Sequence, residues 1–422
     1  IPVLQKGLSK LLLDIPTATI QILFGLLLLS FYHPVFILFG ILLILVLAII
    51  LYYTGSKGLK TSLAESGYKY AVAAWLEELA RVVKSFKLSK GTSLHLKRTD
   101  ERTITYLNTR TQHFGVLLFQ YRTLVALKTI ITAAMLLVGS FLLVNQQLNI
   151  GQFIAAEIVI LIVISAVEKI IGTLDSVYDV LTSVEKIGKL TDKPLEQHGN
   201  HLLPQKKEGV SIEFAAVQFG FSNNSHIIDD LNFRIEAGET ACISGKEGSG
   251  KSILLHLLGG VYTDFNGSIL VDEIPINNYN IDSLRSQTGI YLSHQDIFHG
   301  SLLENITMGN NNIGMDEISR WVEKLGLKSF ISSLKYGFDT QLDPLGDHLP
   351  GNVVRKILLL RALINKPRLI LLEEPWLGFT DEVKNKIQEA LINDTAGSTV
   401  MVISNDESFA SKCSKRIQLN RQ

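Results

Sequence analysis

Apolar residues in this chain are gathered toward one end. Residues 11–31 and 35–53 form two nearly unbroken apolar runs, linked only by Tyr32, His33 and Pro34. A second pair fills residues 123–144 and 152–173, linked by a polar stretch from Asn145 to Gly151. Each run is about 20 residues, the length an α-helix needs to cross ~30 Å of hydrocarbon. The pattern predicts four membrane-spanning helices in two hairpins. Residues 55–122 are too polar to span, yet Trp75, Leu76, Leu79, Val82, Val83 and Phe86 recur at helical spacing. This predicts two helices that continue out of the membrane and meet at a turn near residues 84–93. From residue 210 the pattern changes. Residues 210–214 and 217–221 alternate as strands, and later apolar runs are short and separated by helical stretches, as in an α/β domain. Residues 190–199 are polar and rich in breakers. They divide an all-α membrane domain, residues 1–200, from an α/β domain, residues 201–422.

Charge fixes the orientation. Neither short link carries Lys or Arg, whereas Lys6, Lys10, residues 57–128 and the chain from Lys169 onward are basic. Positive residues stay on the cytosolic side, which places both hairpin tips outside and the α/β domain in the cytosol, at the plasma (inner) membrane. The 422 residues carry 40 basic and 40 acidic side chains, so nothing points to nucleic acid. The two cysteines, Cys242 and Cys413, form no disulfide framework or metal spacing and read as buried or incidental. The chain opens on Ile and shows no charged-then-apolar leader, which reads as a fragment cut at its N-terminus. Glu157, early in the fourth span, reads either as part of a polar pathway or as a headgroup-level carboxylate. Asp14, beside Pro16 in the first span, reads as an interfacial carboxylate at a kink.

The chemistry centres on residues 245–252, Gly-Lys-Glu-Gly-Ser-Gly-Lys-Ser, which fit the phosphate-loop pattern between a strand and a helix. Gly245, Gly248 and Gly250, with Ser249 between the last two, let backbone N–H groups turn inward around an anion. The dipole of the following helix adds positive potential there. Lys251 is placed to reach the terminal phosphates, and Ser252 to ligate Mg²⁺.

Further motifs follow in a set order: residues 284–291, 301–306, 349–363, 367–375 and 399–405. That order, behind helical spans, resembles one half of an ATP-binding-cassette exporter over essentially the whole chain. The family half has six spans, and the four here match its third to sixth. The resemblance implies an all-α membrane domain joined to an α/β phosphate-loop cassette, with ATP and Mg²⁺ as cofactors. Phe221 falls where an aromatic ring stacks on adenine, unless it is a plain core aromatic. Glu373 takes the place of the family's Mg²⁺-holding Asp. Glu374 takes that of the general base.

Other positions depart from the family. The signature loop reads Leu349-Pro350-Gly351-Asn352, so the usual Ser is Pro350, while Gly351 and Asn352 keep donors for a phosphate. The switch His is Asn405, and Thr380 stands where an Asp is expected. The phosphate-sensing Gln is Gln295 only if the loop differs by two residues; by direct counting the slot holds Ser293. Together the changes suggest a slow ATPase or one member of an unequal pair. The implied mechanism is ATP-gated alternating access by a dimer. Its partners are a second half-transporter, membrane lipid and a transported substrate that the sequence does not identify. Two other readings remain: a weakly or non-hydrolysing regulatory subunit of a heterodimer, and an ATP-gated channel, for which no ring of pore-lining charge is evident.

Overall fold

The computed structural model describes residues 2–419 except residues 90, 197–198, 222–226, 294, 347 and 396. It divides into two compact units, Ile1–Leu195 and Glu196–Gln422. The division falls slightly before the expected boundary because the connecting residues already belong to the second unit. Arg285 holds Glu196 in a bidentate pair at 2.8 and 2.6 Å, and His201 bridges to Tyr279.

The first unit is helical: α1 (Pro2–Tyr32), α2 (Pro34–Arg81), the short α3 (Val83–Leu88), α4 (Leu94–Val144) and α5 (Ile150–Thr191). Four of them, α1, α2, α4 and α5, are long and apolar enough to cross a membrane. Local sequence sets their ends. His33 caps α2 by accepting from the Val35 amide, and Pro34 supplies the first turn without a wasted donor. Asn149 and Gln152 form a reciprocal capping box that starts α5. With 48 and 51 residues, α2 and α4 each reach more than ~70 Å at 1.5 Å per residue, over twice the hydrocarbon thickness. The predicted spans and polar extensions are thus single continuous helices, and the predicted turn is α3 with the residues after it.

Small residues let these helices approach closely. A Cβ on Gly25 of α1 would lie 2.3 Å from Val163 Cγ2 of α5, and one on Gly139 of α4 would lie 2.2 Å from Phe153 of α5. A band of polar contacts joins α2, α4 and α5 at the ends of the apolar runs. Gln120 donates to Thr54 Oγ1 at 2.6 Å and to Tyr178 at 3.2 Å, and Thr61 and His113 are 2.9 Å apart. Each of these groups is buried or half-buried, so the bonds supply what water no longer does. Asp14 is paired with Lys169 at 2.9 Å, joining α1 to α5, as a structural carboxylate would be. Glu157 is half-buried and has no ion pair among the described residues. The stripe predicted on residues 75–86 is not one buried face. Trp75 is buried and bonds to Thr99, but Leu76 is 49% exposed, and the helix breaks at Val82.

The second unit is α/β. Its antiparallel sheet joins β1 (Ile212–Phe219), β2 (Ile228–Ile235), β4 (Asn266–Val271) and β5 (Ile274–Pro275) in the order β2-β1-β4-β5. Its parallel sheet holds β3 (Thr240–Gly245), β6 (Thr288–Tyr291), β9 (Leu369–Glu373), β10 (Thr399–Ile403) and β11 (Lys415–Leu419) in the order β11-β3-β10-β9-β6. A short pair, β7 (Gly300–Ser301) and β8 (Gln341–Leu342), stands apart. The helices are α6 (Lys251–Leu258), α7 (Ile281–Ser286), α8 (Leu302–Thr307), α9 (Met315–Lys324), α10 (Lys328–Ser333), α11 (Gly351–Leu363), α12 (Asp381–Asn393) and α13 (Glu407–Ala410). Strands β9 and β10 are buried along nearly their whole length, which is why both read as unbroken apolar runs.

Candidate functional site

Three neighbouring parallel strands, β3, β10 and β9, end together, with Ile243 paired to Ile403 and Ile403 paired to Glu373. The segments beyond their carboxyl ends are therefore side by side, the usual place for a ligand on an open α/β sheet. Beyond β3 the chain turns through the glycine loop into α6. Gly248 and Gly250 adopt left-handed φ values of 77° and 84°, which side chains other than glycine rarely accept. At Gly245 a Cβ would lie 2.4 Å from the Leu419 carbonyl. Lys251 begins α6 and folds its ammonium back over the loop, donating to the carbonyls of Gly245 and Lys246 at 2.7 Å each. Ser249 Oγ is buried and has no hydrogen-bond partner among the described residues.

The next residue, Ser252, hydrogen-bonds Glu373 at the end of β9. The other carboxylate oxygen of Glu373 accepts from the amide and hydroxyl of Ser293 at 2.8 and 2.7 Å. Burial pushes the Glu373 carboxyl up, but the bonds from Ser252 and Ser293 outweigh it and hold the group below its ordinary range. An anionic carboxylate flanked by two hydroxyls is a hard-oxygen donor set. It suits Mg²⁺ that also takes oxygens from a phosphate.

Glu374 is placed differently. Its backbone is left-handed, φ 43°, and its amide donates to Ile403 O, which turns its side chain toward the end of β10. There Ser404 Oγ donates to it at 3.1 Å, and the Asn405 amide also bonds it. Burial is the largest influence and raises the carboxyl above its usual range, which the two hydrogen bonds only partly offset. Asn405 Oδ1 accepts from the Gly245 amide at 3.0 Å, tying the switch position to the phosphate loop. Loop, acidic pair and switch therefore form one connected group.

Of the two slots left open by spacing, the structure puts Ser293 beside Glu373. Gln295, in the loop after β6, instead donates back to Ile290 O of that strand at 3.2 Å, with Oε1 buried and without a partner among the described residues. Phe221 is 66% exposed and stands edge-on to Phe219 and Tyr262, so one of its faces is open to a flat ring. Gly351 and Asn352 open α11 behind Pro350, both exposed. Among the described residues they make no hydrogen bond or ion pair with the phosphate loop. Thr380 begins α12 as its N-cap without a side-chain cap bond, and Asp381 lies in the first turn.

Three residues of this neighbourhood escaped the sequence reading. Ser404 holds Glu374, and the only signal was its place at a strand end. His256 bonds Ser252 O at 2.7 Å and stacks on Tyr262. Tyr262 in turn stacks on Phe219, building the aromatic patch that carries Phe221. The i,i+4 spacing of Ser252 and His256 on one helix was the available signal for the histidine.

Residues 228–377 match the family model described as ABC transporter. Among curated proteins, the chain is 29% identical over 273 residues to the uncharacterized ABC transporter ATP-binding protein YknV of Bacillus subtilis, covering 64% of this chain and 45% of that protein. It is also 29% identical over 267 residues to the alpha-hemolysin translocation ATP-binding protein HlyB of Escherichia coli O157:H7, covering 63% and 38%. The chain thus spans less than half the length of these relatives. Its fold matches the structure of a bacterial Atm1-family ABC exporter with ATP bound, at TM-score 0.90 and 17% identity, over 100% of this chain and 74% of that one.

Proposed function

On the premise that this membrane chain carries an ABC transporter domain behind apolar helices in the fold of an ABC exporter, we propose that it is one half of an ATP-driven exporter. The observation that carries this reading is the clip of Ser252, Glu373 and Ser293 beside the glycine loop, in a chain with four membrane-length helices. The loop amides and Lys251 bind the ATP phosphates, and Phe221 stacks on the base. Ser252 and Glu373, supported by Ser293, would hold Mg²⁺, which when bound neutralises charge on the phosphate oxygens. Glu374 orients the attacking water and takes its proton, and its raised affinity for that proton suits a general base. Asn405 positions the loop and Glu374 together. The α11 N-terminus, with Gly351 and Asn352, offers its free amides to the nucleotide held by a second half, so a dimer completes two sites. In this reading the cassettes are cytosolic at the plasma membrane, and their closure drives the helices between inward- and outward-facing states. Asn405 lacks the charge of an imidazolium and Pro350 lacks a hydroxyl and an N–H, which makes turnover slow.

The test is Mg²⁺-dependent ATP turnover by the purified chain in lipid nanodiscs. Glu374→Gln is expected to lower the rate at least ~100-fold while nucleotide is still retained. Nucleotide binding with no turnover in the unaltered chain would replace this reading with that of a binding-only subunit.

A further inference from the structure

A cavity lies in the α/β unit at the far end of the parallel sheet. Strands β9 and β10 start side by side, with Leu369 paired to Thr399, whereas the glycine loop, Glu373 and Asn405 stand at their opposite ends. Five residues at ~3.3 Å each put about 15 Å of sheet between the two places. The cavity measures about 370 Å³, within the size range of small-molecule sites. Its wall is apolar where Trp321 of α9, Leu363 and Ile370 reach it. Its rim is cationic, with Lys206, Lys207, Arg320, Lys324 and Lys366 against Glu317 and Asp394. Both carboxylates are already engaged. Asp394 is paired with Lys324, whose ammonium lies 5.3 Å from the centre of the Trp321 ring, and Glu317 accepts from the Asn365 amide at 2.8 Å. The exposed side chains of Lys206, Lys207, Arg320 and Lys366 have neither a hydrogen bond nor an ion pair among the described residues.

The backbone beneath these cations is held in place. Arg368, 3% exposed, donates to the Pro204 carbonyl at 3.2 Å and to those of Glu208 and Gly209 at 2.7 Å each. It thereby clamps the chain on both sides of Lys206 and Lys207. The turn that carries Lys366 has two successive left-handed residues, Asn365 at φ 70° and Lys366 at φ 45°, and Glu317 fastens it to α9. Residues other than glycine seldom take that conformation, and a binding site is one place where it persists. Four unpaired cations over an apolar wall focus a positive field, because the low-dielectric wall screens it little. We propose that this cavity binds a compact oligophosphate, either free or as the phosphate chain of a nucleotide. Phosphoryl groups gather several negative charges within a few ångströms, where ammonium groups and a forked guanidinium meet them together. An acidic peptide carries one charge per side chain on a flexible backbone and gathers fewer of them in the same volume.

The experiment uses the full chain with Lys251→Ala, which disables the glycine loop, in nanodiscs of neutral lipid without Mg²⁺. Binding of inorganic triphosphate is measured by equilibrium dialysis. One triphosphate per chain is expected, held less tightly as salt is raised. Reversing two rim charges, Arg320→Glu with Lys366→Glu, should weaken binding roughly 100-fold, as the loss of two charge-assisted contacts implies. Arg320→Lys with Lys366→Arg should retain it. With Lys251 intact, the reversed chain should still bind nucleotide at the glycine loop, which shows that its fold survives. ATP offered to the Lys251→Ala chain distinguishes the two sources. Binding as tight as that of triphosphate, and lost with the same reversal, identifies a nucleotide; weaker binding identifies the free oligophosphate. No retained triphosphate, an affinity indifferent to the charge reversal, or equally tight binding of hexaglutamate would each overturn the proposal. Binding is read without turnover, so the outcome is independent of the exporter reading.

Discussion

Glu373 and Glu374 are adjacent in sequence and opposite in electrostatic character. One is kept anionic by hydroxyl and amide donors, while the other is pushed toward its neutral form by burial. The difference makes separate predictions. Turnover that depends on ionised Glu374 should fall with acid at a pH above the ordinary carboxylate value of about 4.3. Folding prefers the protonated form of a carboxyl whose pKa it raises, so the ionised group lowers stability at neutral pH. Glu374→Gln should accordingly raise the melting temperature while removing turnover, and an unchanged or lowered temperature would contradict the burial argument. Ser293→Ala removes one donor to Glu373 and should raise the Mg²⁺ concentration for half-maximal turnover by about tenfold, read from a titration at saturating ATP. Asn405→His should speed turnover if the switch position limits it; a rate at or below that of the unaltered chain would refute that account. The left-handed backbone at Glu374 is a strained geometry of order 1 kcal/mol that few side chains adopt, here carried by the residue assigned as the base. The loop and the acidic pair were legible because their spacing is tied to a strand and a helix. The choice between Ser293 and Gln295 was not, because a loop can absorb two residues without changing either flanking strand.

At the scale of elements, the helix lengths were only half legible. The continuation of α2 and α4 beyond their apolar runs was legible from helix formers at helical spacing, but the residues at which each polar arm ends were not. The expected stripe on residues 75–86 failed for a related reason: periodicity cannot show that the helix breaks at Val82 or which positions find a neighbour. Helix contact through small residues is likewise a matter of pairing. Gly25 packs against Val163 so closely that Gly25→Val should destabilise the helical unit by about 1–3 kcal/mol. Thermal unfolding in detergent checks this. Restoration by a second change, Val163→Ala, would separate overpacking from a general defect. The pairing of β11 with β3 was invisible for the same reason, since sequence separation gives no indication that the last strand returns to lie beside the one before the glycine loop.

For the whole molecule, the dimer is the expectation that most needs a direct measurement. The Glu374→Gln chain in detergent should double its mass by light scattering when Mg²⁺ and ATP are added together, and the same chain with Lys251→Ala should not. An unchanged mass in the first case would remove the shared-site arrangement. The helical unit has a mechanical property of its own. Neither α2 nor α4 contains an internal proline between its bilayer-length segment and its water-side arm, and Gln120 of α4 fastens that helix to both α2 and α5 near that crossing. Each is therefore a stiff rod with a fulcrum near the membrane surface. A tilt imposed at the wet tip reaches the lipid-embedded end with its angle preserved, and the arm lengths alone set how far that end swings.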